Sequence, residues 1–69
     1  MSTPQITVNG EPQEFGGTVA ELLEQRLGDA RPTGIAVAVG EDVVRRDAWA
    51  THVLAAGDEV EIVMAVQGG

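Results

Sequence analysis

The sequence contains no cysteine and no lysine, one histidine, and only two aromatic residues, Phe15 and Trp49. Each scarcity removes a class of chemistry. Without cysteine there is no disulfide framework, no thiolate nucleophile or metal ligand, and no side-chain persulfide. If the chain handles sulfur, a group other than a thiol must hold it. Without lysine, Schiff-base chemistry and lysine-linked chains of this protein are excluded. Four arginines against 11 acidic residues leave a net charge of −7. That is the wrong sign for a phosphate backbone, and two aromatics make no base-stacking platform. An acidic surface suits solubility or rapid encounter with a basic partner protein. No apolar run approaches the roughly 20 residues of a membrane span. Met1-Ser2-Thr3-Pro4 lacks the basic and apolar regions of a signal peptide, so the expected location is the cytoplasm.

What is present fits one small domain spanning residues 1–69. A chain of this size buries only about 60% of its unfolded surface, so its core must close economically. Gln5 to Asn9 alternates Ile6 and Val8 with polar residues, the period of a half-buried strand. Asn9-Gly10 then predicts a type I′ hairpin, and Glu11 to Phe15 the returning strand. Pro12 places that strand at a sheet edge, because it cannot donate to a ladder. Thr18-Val19-Ala20-Glu21 has the form of a capping box. Val19, Leu22, Leu23 and Leu27 follow as one apolar helical stripe, and Gly28 supplies the C-cap. Ile35 to Val39 is nearly all apolar, as for a strand buried on both faces or covered by a helix. Gly40-Glu41-Asp42 turns the chain into a short strand at Val43-Val44. Arg46 to Trp49 reads as a turn or single helical turn that tucks Trp49 against the core, and Ala56-Gly57-Asp58 as another turn. Val60 to Val66 is the last strand, followed by Gln67-Gly68-Gly69. The order is ββαββ with a crossing segment before the final strand. One helix should therefore cover one face of a single mixed sheet, an α+β fold.

The search for a catalytic constellation returns little. His52 has no cysteine partner and no serine near it in sequence, so a structural role is expected. No spacing of carboxylates matches a metal loop. Gly16-Gly17-Thr18 before a helix could attract an anion, but it lacks the lysine and glycine pattern of a phosphate loop and reads as a turn. The unusual feature is the terminal Gly68-Gly69. Two residues without side chains form a flexible end that can thread a narrow channel and present an unhindered carboxylate to ATP. The product would be an acyl adenylate, open to a sulfur or nitrogen nucleophile, with a partner supplying the catalytic groups. An incidental pair of glycines is the alternative.

A docking surface is also expected beside this tail. Val63, Ala65 and Val66 offer an apolar patch next to the acidic Asp58, Glu59 and Glu61, while alternation assigns Val60, Ile62 and Met64 to the core. An apolar patch with a charged rim suits a transient partner. The competing possibility is that the helix or a loop covers Val63 and Ala65.

Taken together, these residues resemble the thiamine-biosynthesis sulfur carrier family, ThiS, over nearly the whole chain after Thr3. Asn9-Gly10 is similar to the family's first hairpin. Thr18-Val19 with Glu21-Leu22-Leu23 matches its helix start. Val44, Arg46 and Trp49 match a V-x-R-x-x-W pattern, with His52 following, and Gly57-Asp58 and Gly68-Gly69 complete the set. Arg45 departs from the pattern, standing where relatives often carry proline. The resemblance implies a ubiquitin-like β-grasp fold with the first and last strands parallel at the sheet centre. It implies that Gly69 is the covalent carrier site, and that Gly68 and Gln67 enter the partners with residues 66–69 as a flexible tail. An E1-like activating enzyme of the ThiF type would adenylate Gly69 with ATP and magnesium. Sulfur from a cysteine desulfurase would convert the adenylate into a thiocarboxylate, which would serve thiazole synthase of the ThiG type. No cofactor or metal is implied on this chain, and no enzymatic activity of its own. A monomer is expected, with pairing through the edge strand left open.

Three alternatives share some of these features. A sulfur carrier of another pathway has the same fold and tail: the molybdopterin synthase small subunit, or a carrier for cysteine or tRNA thiolation. A ubiquitin-like modifier would form isopeptide bonds instead. A plain interaction domain would not need Gly68 and Gly69.

Overall fold

The computed structural model describes residues 3–30 and 32–64. Its elements are β1 (Gln5–Val8), β2 (Glu11–Glu14), α1 (Val19–Leu27), β3 (Ile35–Val39), β4 (Asp42–Val44), a single 3-10 turn at Arg46–Ala48, and β5 (Glu59–Met64). The strands form one five-stranded sheet in the order β2-β1-β5-β3-β4. The last strand is thus the central one, parallel to β1 and antiparallel to β3. This is the mixed sheet and single helix expected of a β-grasp fold. Among the described residues, no helix is long and apolar enough to cross a membrane.

The local signals act as their chemistry requires. Asn9 and Gly10 both take positive φ, 52° and 85°, the requirement of the type I′ turn between β1 and β2. Pro12 lies on the edge strand β2. The capping box forms in full: the Glu21 N–H donates to Thr18 Oγ1, and the Thr18 N–H donates to Glu21 Oε1 at 2.8 Å. Gly28 ends the helix in the left-handed region, where its N–H donates to the Glu24 carbonyl.

The other free amides of the helix N-terminus are also taken. Val19 and Ala20 donate to the carbonyls of His52 and Trp49. All four first-turn N–H groups therefore have protein partners, and the Gly16-Gly17-Thr18 segment serves as a turn.

The core is built from Ile6 and Val8 of β1, Val37, Val44 and Val60 of the other strands, Val19, Leu22 and Leu23 of α1, and Phe15, Trp49 and Leu54 from the connections. It lies between the helix and one face of the sheet. Trp49, expected to tuck inward, is 2% exposed.

Two expectations need correction. Leu27 belongs to the apolar stripe by spacing, yet it is half exposed at the last residue of α1, where the helix ends before a further turn could pack against it. Alternation assigns Met64 to the core with Val60 and Ile62, yet it is 79% exposed. The β1–β5 ladder ends at Val8 and Val60, so Met64 stands beyond the layer, paired only at Ile35. Of the two arrangements expected for Ile35 to Val39, the structure takes cover on one face: Val37 is buried in the core shared with α1, while Ala36 is exposed.

Candidate functional site: the last strand and the open sheet face

The expected carrier residue Gly69, the tail residues Gly68 and Gln67, and the docking candidates Ala65 and Val66 lie outside the described residues. The structure instead defines the platform that precedes them. Central position in the sheet gives β5 a neighbour on each side, β1 through Thr7–Glu59 and Val8–Val60 and β3 through five registered pairs. A strand paired on both sides is a rigid base for whatever follows it.

Among the described residues, the sheet face away from α1 carries no layer of its own. Register places Val63 beside Ala36, Glu61 beside Ala38, and Ala38 beside Val43. Val43 is 73% and Val63 59% exposed, and Glu59 and Glu61 are exposed on the same strand. Among the described residues, neither the helix nor a loop covers Val63. Of the residues expected to form a docking patch, Val63, Glu59 and Glu61 therefore share this surface. Val43 and Ala36 join it from β4 and β3, and the sequence reading missed them. Strand pairing brings them there, and no local pattern announces it.

Asp58 has a different position from its neighbours Glu59 and Glu61. It is half-buried, and its Oδ2 accepts the Ala55 N–H at 2.8 Å. This closes the turn at Gly57, whose φ is 90°, so Asp58 shapes the entry to β5. Glu59 and Glu61 remain as the freely presented carboxylates.

Asn9 makes a contact that the turn signal does not reveal. Its backbone N–H donates to the Val60 carbonyl at 2.8 Å, and its side-chain Oδ1 accepts the Ile62 N–H at 2.8 Å. The turn residue thus holds β5 two residues before the last one described.

His52 is half-buried and acts structurally through its backbone. Its N–H donates to the Ala48 carbonyl, and its own carbonyl accepts from Val19. Its side chain borders an open depression of about 570 Å³ flanked by Glu41, Asp42, Asp58 and Glu59. Among the described residues, no group of three or more potential ligands is placed to hold a metal ion.

Comparison with known proteins agrees with this architecture. Residues 6–69 match the model of the ThiS family. The chain is 41% identical over 67 residues to the sulfur carrier protein ThiS of Escherichia coli strain K12, covering 94% of this chain and 98% of that protein. Among solved structures, it is similar to the thiamine biosynthesis protein ThiS of Geobacter metallireducens, with a TM-score of 0.76 and 30% identity. That likeness covers 94% of this chain and 99% of the other.

Proposed function

The chain belongs to the ThiS family, and from that membership we propose that it is a sulfur carrier of thiamine biosynthesis that holds sulfur as a thiocarboxylate on Gly69. The observation that supports this most strongly is the near end-to-end likeness to a protein named as a sulfur carrier, with the family match running through Gly69.

The chemistry follows from the residues available. A cysteine-free chain cannot carry sulfur as a persulfide, so the acyl carbon of Gly69 is the place to hold it. In the proposed sequence, a Gly69 carboxylate oxygen attacks the α-phosphorus of ATP and pyrophosphate leaves. The mixed anhydride is then attacked by a persulfide sulfur and AMP leaves. A thiol opens the resulting acyl disulfide, releasing the thiocarboxylate and leaving a disulfide on the donor side. The phosphoryl chemistry, the magnesium and the persulfide belong to partners, an E1-like adenylating enzyme and a cysteine desulfurase system. This chain supplies the platform and the substrate group. Thiazole synthase is the proposed acceptor. The open sheet face, with Val63 at its centre and Glu59 and Glu61 at its margin, is the proposed docking surface, continued by Ala65 and Val66. Gln67 and Gly68 would lead into the partner's site, where the missing side chains allow a narrow entry.

Intact-protein mass spectrometry tests this directly. Incubation with the adenylating enzyme, ATP, magnesium and a sulfur donor should add the mass difference between sulfur and oxygen, and deletion of Gly69 should abolish the gain. Transfer to thiazole synthase then fixes the pathway. Absence of both adenylate and thiocarboxylate on the unmodified chain rejects the reading.

A further inference from the structure

In a parallel pair the two strands exchange evenly spaced bonds, each partner residue taking one step along the ladder. Here the Thr7 N–H donates to Asp58 and the Asn9 N–H to Val60. The next donor along β5 facing the hairpin is the Ile62 N–H. Asn9, at φ 52°, has already left the strand to begin the turn. Its carboxamide oxygen takes the place a strand carbonyl would have had, accepting from Ile62 at 2.8 Å. A side chain thereby extends the β1–β5 ladder one step beyond the end of β1.

Ile62 is half-buried and paired with Val37 on the opposite side, so this bond fastens the strand between two neighbours at its last two-sided point. Gly69 lies seven residues further along the chain, a reach of at most about 25 Å. A partner that docks on the open sheet face and also takes Gly69 must find both in one geometry. The orientation of β5 at Ile62 sets the origin of that reach, and a looser root lowers the fraction of encounters in which the carboxylate arrives in place.

We propose that Asn9 is a positioning residue for the carrier tail: its carboxamide oxygen fixes the direction in which β5 delivers Gly69 to a partner. The inference rests on the carrier function proposed above and adds a role for a residue in a turn remote in sequence from the tail. It also gives Asn9 two independent demands, positive φ for the turn and an acceptor oxygen for the clamp. Glycine meets only the first, whereas aspartate meets both.

The experiment compares Asn9→Gly and Asn9→Asp in the full chain. Steady-state thiocarboxylate formation and amide hydrogen exchange at Ile62 and Val60 are measured for each. Asn9→Gly should lower kcat about tenfold with little change in KM, and Asn9→Asp should stay within about twofold of the unmodified chain. Exchange at Ile62 should accelerate in the glycine variant alone, while Val60 stays protected in both. A chain that gains sulfur equally well in all three forms overturns the proposal and leaves the carrier function standing. Equal losses in both variants overturn it too, since an acceptor was kept in one of them. If the unmodified chain gains no sulfur, the carrier function is what fails, and Ile62 exchange still decides whether Asn9 holds the strand.

Discussion

The Trp49 indole N–H donates to the Val44 carbonyl at 2.9 Å, joining the segment after the 3-10 turn to the end of edge strand β4. The ring is buried, and the Arg46 guanidinium lies over it, 5.4 Å from the centroid. Arg46 also donates to the Pro32 carbonyl. The V-x-R-x-x-W pattern is thus a structural latch: valine supplies the acceptor, tryptophan the donor and the volume, and arginine ties the latch to the loop before β3.

Replacing Trp49 separates these contributions. Trp49→Phe keeps an aromatic ring but leaves the Val44 carbonyl without its donor, at a cost of about 1 to 3 kcal/mol. Trp49→Ala should cost about 3 to 5 kcal/mol. A domain of this size holds roughly 3 to 10 kcal/mol in total, so the alanine variant should lose about a third of its stability or more. Urea denaturation followed by circular dichroism measures both.

The capping box is a second test of local design. Thr18→Ala removes the oxygen that accepts the Glu21 N–H and should cost about 1 kcal/mol. In a domain this small that corresponds to a fall in Tm of about 4 to 8 °C. Differential scanning calorimetry reads it, and a Tm within error of the unmodified chain would show that the bonds from Val19 and Ala20 to the 49–52 segment hold the helix start unaided.

Gly17 should tolerate substitution poorly for a related reason. Its φ is 153°, and an added Cβ would lie 2.6 Å from Glu21 Oε1 and 3.2 Å from the Phe15 ring. Gly17→Ala must push aside the carboxylate that caps Thr18, so its Tm should fall at least as far as that of Thr18→Ala. Gly28→Ala provides the contrast. It faces strain from φ 79° but open space around its Cβ, and it should cost about 1 kcal/mol.

How much of this was legible in sequence follows from the range of each interaction. Asn9-Gly10, Thr18 with Glu21, and Gly28 are settled by contacts within four residues, and the sequence showed them directly. Pro12 marked the edge strand because a missing N–H is a property of the residue itself. Met64 and Leu27 were misplaced because alternation and helical spacing give direction but not extent. Whether a residue pointing toward the core meets anything depends on where β1 and the sheet layer end. The reach of Asn9 to Ile62 spans most of the chain and has no local signature. Asp58 was grouped with Glu59 and Glu61 by charge, and only its bond to Ala55 separates its role from theirs.

That separation decides how the docking surface should be tested. Charge reversal at Asp58 would break the turn before β5 along with any contact to a partner, so its effect on activation would be ambiguous. Glu61→Lys and Val63→Asp avoid this. Glu61 is exposed, and Val63 is 59% exposed on the open face, so Glu61→Lys should change stability by about 0.5 kcal/mol or less and Val63→Asp, inside a strand, by about 1 kcal/mol. Both should raise KM for the adenylating enzyme with a smaller effect on kcat, since they remove docking and leave the tail intact. Val63→Asp places a charge at the apolar centre, and a rise of about tenfold or more is expected of a residue central to an interface. Glu61→Lys lies at the margin, where charge mainly sets the encounter rate. Its effect should be smaller and should shrink as salt rises from low to physiological ionic strength. If KM is unchanged for both at low salt, the partner does not use this face, and the proposed delivery of Gly69 would have to start from another surface of the domain.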